Sequence, residues 1–333
     1  MQGVECLPDE SEASLRSALA VRAPNLAGLP LRISPHARDP DPLWWSSSAV
    51  IDERYVAKYA WSDIRAERLW REGVLIERLH AREPALPIPE VVIVSPAPAL
   101  VITRFAAGTP LSWEWAGTFS PAETSRVGAQ IAEVLARLHA IDPSAILADL
   151  PDVRPVPQAS TARLREAFPQ IVDAARARQV LDWCGWVDDA LSESFRPEGV
   201  LVHGDLHGYN QLWDVATLDL TLVVDFETCG VADPHFDFRY LPGNAPTPDL
   251  ALAVMDAYAQ ATSRALAIER VMAWHVLTVL GDALWRTAAG VGLPDGGPAA
   301  TCVDDLARRL AALRLDVSSE STSANRPSAF GAS

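Results

Sequence analysis

From about residue 120 onward the sequence runs in helical period, and two β-type stretches interrupt it. They are "GVLVHGD", residues 199–205, and "LTLVVDFE", residues 220–227. Each is apolar until near its end and then delivers an aspartate, Asp205 in one and Asp225 in the other. Two short strands inside a helical region read as a hairpin. Pairing them would bring Asp205, Asn210 and Asp225 to one end, so this insertion constrains both the fold and the chemistry.

The region before it has a different texture. Residues 10–21, "ESEASLRSALAV", read as a short helix with Leu15, Leu19 and Val21 as its apolar positions. "SSAVI" and "RYVAKYA" then form two β-type runs around a turn at Asp52-Glu53. Residues 63–82 switch to helical spacing, with Ile64, Leu69, Leu75, Ile76 and Leu79 on one side. "ALPIPEVVIVS" and "ALVITRFAAG" are extended and are split by the turn "SPAPA". Past the linker-like "AAGTPLSW", Ser120, Pro121 and Glu123 make a capping box that opens a helix. Further helices are expected near 160–176, 178–194, 248–262, 268–289 and 301–314. The reading is an α+β chain: a sheet-rich N-terminal lobe over 1–105, a hinge and linker over 106–119, a mainly helical lobe over 120–315, and a disordered tail over 316–333. A cleft between two such lobes is a common ligand site.

Composition narrows the class. With 333 residues, 49% of them hydrophobic, the chain has ample material for a core. A formal charge of −15 argues against nucleic acid and anionic membranes as partners, and it suits a cationic small molecule. No apolar run is long enough to span a bilayer and the N-terminus carries early acids, so a cytoplasmic location is expected. Cys6, Cys184, Cys229 and Cys302 lack C-x-x-C spacing and read as reduced thiols. No obligatory protein partner is evident.

"LVHGDLHGYNQLWD", residues 201–214, admits three readings. His203, Asp205 and His207 alternate along a strand and could hold a metal, although no spacing such as H-E-x-x-H supplies further ligands. The polar side chains could instead satisfy backbone groups in a buried turn. The third reading joins the stretch to Asp225. One carboxylate accepts a hydroxyl proton, while an amide oxygen and a second carboxylate hold Mg²⁺ against the phosphates of a nucleotide.

"HGDLHGYN" followed by "VVDFE" resembles the catalytic loop and metal-binding segment of the aminoglycoside phosphotransferase family, which has the bilobal protein-kinase-like fold. The resemblance implies ATP or another nucleoside triphosphate, Mg²⁺, and a hydroxyl-bearing small molecule as acceptor. On its terms Asp205 is the catalytic base and Asn210 and Asp225 are the metal ligands. His203 and His207 then hold the loop. Lys58, the only lysine in the chain, stands where the family's strand lysine grips the phosphates, with Glu72 as its partner and Glu67 as runner-up. Thr103, Arg104 and Ala106 fall at the adenine-binding hinge. Ser46, Ser47 and Ser48 replace the glycines that often cover the phosphates. Glu227, Asp237 and Asp282 are candidates for substrate contact, though Asp237 also reads as a loop anchor and Arg286 could neutralise Asp282.

The expected activity is transfer of a γ-phosphate to an aminoglycoside or related cationic antibiotic. A metabolite kinase acting on choline, homoserine or a sugar, a non-catalytic nucleotide-binding regulator, and a metal-dependent hydrolase remain alternatives.

Overall fold

A computed structural model of the chain describes residues 3–34, 41–192, 198–292, 297–315 and 317. The expected tail at 316–333 lies almost wholly outside the described residues. The chain divides into two compact units, each made of several segments. Unit 1 comprises Met1–Leu111, Arg137–Arg154 and Tyr209–Gly230, and unit 2 comprises Ser112–Ala136, Pro155–Gly208 and Val231–Ser333.

Unit 1 opens with helix α1 (Glu12–Arg22), where the Ser11 hydroxyl accepts the Ser14 amide as N-cap. Strands β1 (Leu31–Ile33), β2 (Ser46–Ile51) and β3 (Tyr55–Ala60) follow, then helix α2 (Asp63–Arg82) and strands β4 (Val91–Pro96) and β5 (Ala99–Arg104). The five strands form one antiparallel sheet in the order β1-β2-β3-β5-β4. Asp52 and Glu53 make the β2–β3 turn with φ of 51° and 48°, the left-handed backbone that closes a tight hairpin.

Strand alternation decides which side chains face which helix. Ala57 and Tyr59 of β3 pack with Leu100, Ile102 and the α1 residues Leu15 and Leu19. The intervening positions turn the other way, where Ala60, Ala99 and Val101 meet Ala66 and Leu69 of α2. Lys58 sits between Ala57 and Tyr59, so its side chain emerges on the α2 side. The α1 stripe stops short of Val21, and α2 leaves Ile64 at its exposed first turn, so neither belongs to the core expected of it.

Gly73 lets α2 lie close to the sheet. A Cβ there would fall 2.8 Å from a Val101 methyl and 2.9 Å from a Val94 methyl. Gly73→Ala is therefore expected to destabilise the protein by about 1–3 kcal/mol through overpacking, read as a lower urea midpoint at unchanged slope.

Downstream, strand β6 (Thr109–Pro110) precedes the short helix α3 (Trp113–Ala116) of unit 2, and helices α4 (Pro121–His139) and α5 (Pro143–Leu147) follow. The Ser120–Glu123 capping box opens α4, with both reciprocal amide bonds formed. Helix α6 (Thr161–Ala167) gives way to a 3-10 turn at Phe168–Gln170, and helix α7 (Ala174–Ala190) starts after it. The single helix expected over 160–176 is thus broken around Pro169, whose ring cannot continue it.

Strand β7 (Val200–Val202), strands β8 (Gln211–Asp214) and β9 (Asp219–Val223), and strand β10 (Gly230–Ala232) complete the β-structure. The hairpin is not the one expected from the sequence. β9 pairs with β8, while β7 pairs with β10. β6 joins the edge of β8, so "AAGTPLSW" is partly strand rather than wholly linker.

Helices α8 (Asp249–Thr262), α9 (Ile268–Ala289) and α10 (Ala299–Ala312) end the described chain. The core of unit 2 gathers Leu164, Phe168, Trp183, Val276, Leu280 and Leu306 from α6, the turn after it, α7, α9 and α10. No described helix is long and apolar enough to cross a membrane.

His275 of α9 is buried, with Nδ1 2.7 Å from the Arg239 carbonyl. Burial, and after it the charge of Arg309, pushes its imidazole down to about 4. In the unfolded chain the same ring takes up a proton near 6.5. Acid therefore favours the unfolded state between those values, and this contribution is fully present above about pH 6.5. Stability relative to His275→Gln is expected to fall by about 1.4 kcal/mol per pH unit on acidification through that window, measured by urea titration.

Candidate active site

In unit 1 the alternation of β3 and the close seat of α2 bring Lys58 to Glu72. Its Nζ is 2.8 Å from Glu72 Oε1 and 3.1 Å from Asp225 Oδ1. Glu72 is 3% exposed, and its Oε1 also accepts the Phe226 amide at 3.1 Å. Lys58 keeps a third of its side chain exposed. Burial opposes its charge, but Asp225 and Glu72 outweigh that and raise its pKa, so it stays an ammonium. The other candidate partner, Glu67, lies on the exposed face of α2.

The β8–β9 hairpin positions the other half of this cluster. Gln211 pairs with Val223, and the Val224 amide donates to the Asn210 carbonyl at 3.0 Å. Asn210 and Asp225 therefore leave the same end of one hairpin. Asp225 has φ of 72°, in the left-handed region that few non-glycine residues adopt and that aspartate tolerates better than most. Asn210 is nearly buried, whereas the Asp225 side chain is a third exposed. Their amide and carboxylate oxygens are hard donors suited to Mg²⁺, which takes its remaining ligands from water and phosphate.

Glu227 forms an ion pair with Arg65, whose Nε also donates to the Ser46 hydroxyl at 2.7 Å. Burial, and then the Asp225 carboxylate, pushes Glu227 up to about 7. Ser46, Ser47 and Ser48 are strand residues, with Ser48 opposite Lys58. The Ser47 hydroxyl donates to the Ser34 carbonyl and that of Ser48 to the Ser34 hydroxyl. All three serines lie inside β2. At the expected hinge, the Arg104 amide is tied to the Glu90 carbonyl at 2.9 Å, and Thr103 pairs with Val56 across the sheet. Ala106 follows β5 outside any helix or strand.

Unit 2 holds the Asp205 loop. Gly204, with φ of 84°, makes a bend that side chains rarely allow. Asp237 fastens the bend: its two oxygens accept the amides of His203 and Gly204, each at 2.8 Å. Asp237 has no exposed surface, and both of its oxygens are taken up by these backbone amides. The buried His203 accepts the Asp205 amide on Nδ1 at 3.1 Å. His207 lies with Nε2 3.5 Å from Asp205 Oδ2, beside the carboxylate. Asp282, the remaining substrate candidate, is ion-paired at 2.7 Å with Arg286 one turn on. Among the described residues no group of three or more His, Cys, Asp or Glu could hold a metal.

Sequence reasoning missed Arg65, Arg239 and Tyr240. Arg65 lies one turn into α2 from the Ser62 cap, and its pairing with Glu227 joins residues 162 positions apart. No local pattern carries such a contact.

Comparison with protein families decides the assignment, since the phosphotransferase enzyme family (APH) matches residues 44–274, more than half of the chain. The chain belongs to this family. Solved structures give the phosphotransferase the same fold. It is similar to wild-type aminoglycoside 2'-phosphotransferase-IIIa in its GDP complex, with 17% identity and a TM-score of 0.67, covering 90% of this chain and 98% of that one. It is also similar to macrolide 2'-phosphotransferase MphH from Brachybacterium faecium, with 22% identity and a TM-score of 0.55, covering 92% and 99%. The ternary complex of APH(2")-IIa with streptomycin and ATP matches at 18% identity and a TM-score of 0.58, covering 90% and 97%. Curated proteins give no match. The α+β, protein-kinase-like fold read from the two motifs is thus borne out, as is the expectation of a phosphotransferase.

Proposed function

We propose that this phosphotransferase moves the γ-phosphate of ATP to a hydroxyl of an aminoglycoside or related cationic antibiotic. The observation that carries the reading is the ammonium of Lys58 held at 2.8 Å by a buried carboxylate and at 3.1 Å by Asp225. A chain with one lysine that places it among three acids, Glu72, Asp225 and Glu227, has prepared a cation for a polyanionic ligand.

Lys58 binds the α- and β-phosphates and Glu72 keeps its ammonium from swinging away. Asn210 and Asp225 are the residues that hold Mg²⁺, which when bound neutralises charge on the phosphates. Asp205 stands five positions before Asn210, and its carboxylate accepts the proton of the acceptor hydroxyl. Positioning and charge neutralisation do most of the work, because the transferring phosphoryl group passes through a loose transition state. The Arg104 carbonyl and Ala106 amide hold the adenine edge, with Thr103 beside it.

The substrate class rests on two supports. The formal charge of −15 favours polycationic acceptors, and the similar structures include complexes with streptomycin, gentamicin and kanamycin. A macrolide acceptor is the second reading, favoured by the likeness to macrolide 2'-phosphotransferases. The test is incubation with ATP or GTP, Mg²⁺ and a panel of aminoglycosides and macrolides, with phosphorylated product read by mass spectrometry. Product from an aminoglycoside is expected. Product from neither class with either nucleotide would overturn the reading.

A further inference from the structure

The segment "DFRY", residues 237–240, grips the Asp205 loop residue by residue, and only its first contact concerns the loop's bend alone. Asp237 takes the amides of His203 and Gly204. Arg239 donates from Nη2 to the Gly204 carbonyl at 2.5 Å, and the same nitrogen lies 3.7 Å from Asp205 Oδ1. The Tyr240 hydroxyl completes the series by donating to Asp205 Oδ1 at 2.7 Å. Three successive loop residues are therefore held by three residues of one short segment, and the last hold is on the reacting carboxylate itself.

Tyr240 is fixed from several sides. Its hydroxyl accepts from Arg239 Nη2 at 3.1 Å, and the guanidinium carbon stacks 4.2 Å from the ring centroid. The His207 ring meets it edge-on, with centroids 5.5 Å apart. Arg239 is in turn buried, donates to the Phe236 carbonyl at 3.0 Å, and stacks 3.8 Å above the Phe236 ring. Burial, and the Asp205 charge with it, raises the Tyr240 phenol against the opposing pull of Arg239, so the group stays a proton donor across the working pH range.

We infer that Tyr240 is a positioning residue, which fixes the rotamer of the Asp205 carboxylate by holding its Oδ1. A carboxylate on a free side chain samples several rotamers, and only one of them lies in line for proton acceptance. A hydroxyl at 2.7 Å selects one, and donation to an ionised acceptor is among the stronger hydrogen bonds. Arg239 supports the arrangement by orienting the phenol rather than by touching the substrate. This inference rests on the assignment of Asp205 as base.

Tyr240→Phe removes one oxygen and leaves the ring stack in place. With the acceptor that gives product, the variant is expected to lose about tenfold or more in kcat, while KM for ATP and for the acceptor stays within twofold and the melting temperature within about 2 °C. In an Asp205→Asn background the same substitution is expected to change kcat by less than twofold, because a base that is gone cannot be mispositioned. An unchanged kcat in Tyr240→Phe overturns the inference. So does a loss that appears chiefly in KM, which marks a substrate contact, or one that follows the melting temperature, which marks a structural prop. Should Asp205→Asn itself retain normal turnover, the assignment of the base fails instead, and the two failures are distinguishable.

Discussion

Asp205→Asn is expected to lower kcat by about 10³-fold with every acceptor that the wild type phosphorylates. The substitution preserves volume, and the Tyr240 hydroxyl can still donate to the amide oxygen, so the loop bend held by Asp237 stays formed. What disappears is the acceptor for the hydroxyl proton. The proposed phosphate contacts come from Lys58 and not from Asp205, so nucleotide affinity is expected to remain within a few fold, measured by calorimetric titration with ADP or a non-hydrolysable ATP analogue. Turnover within tenfold of the wild type would remove Asp205 from the chemistry.

Lys58→Met is expected to injure both binding and folding. The phosphates lose their cation, and kcat/KM for ATP should fall by about 10²-fold or more. At the same time Glu72, 3% exposed, loses its neutralising partner at 2.8 Å. Leaving one member of a buried pair alone costs about 3–5 kcal/mol. The Phe226 amide still donates to Glu72 Oε1, which places the expected loss near the lower end, about 3 kcal/mol. A surface lysine would change stability by about 0.5 kcal/mol or less. Urea titration of the variant thus separates a built-in cation from a solvated one. Lys58→Met/Glu72→Gln should recover part of the stability and none of the activity, because the stranded charge is gone while the phosphate cation is still missing.

The helices were legible wherever apolar spacing and a cap agreed. Helix α2 spans 63–82 as expected, because the Ser62 hydroxyl accepts the Arg65 amide at its start and the buried stripe runs to Leu79. The Lys58–Glu72 partnership was also legible, once a strand lysine was set against a helix with a glutamate on its buried side. Strand pairing was not. "QLWD" is only four residues long and β10 only three, too short for periodicity to register, and which strand pairs with which is set by contacts distant in sequence. So Asp205 and Asp225 were assigned to one hairpin, whereas Asn210 and Asp225 share it and Asp205 follows β7. Ser47 and Ser48 were legible as strand within the run "SSAVI", and the structure begins that strand at Ser46, each serine lying opposite a β3 residue between Lys58 and Ala60. Asp237 was legible as a loop anchor as well as a candidate acid, and the amides of His203 and Gly204 on its two oxygens favour the anchor. Tyr240 gave no signal, because a hydroxyl that bonds a carboxylate 35 residues away leaves no trace in local pattern.

The central claim is that the chain's only lysine serves as the phosphate-binding cation, and that uniqueness makes it directly testable. An acyl-phosphate derivative of ATP transfers its acyl group to a lysine ε-amine lying at the phosphates, and peptide mass spectrometry locates the product. The account predicts acylation of Lys58, suppressed by excess ATP with Mg²⁺ and absent when unfolded protein is treated at the same low probe concentration. Labelling of Lys58 that ATP does not suppress, or no labelling while ATP binds, would contradict it.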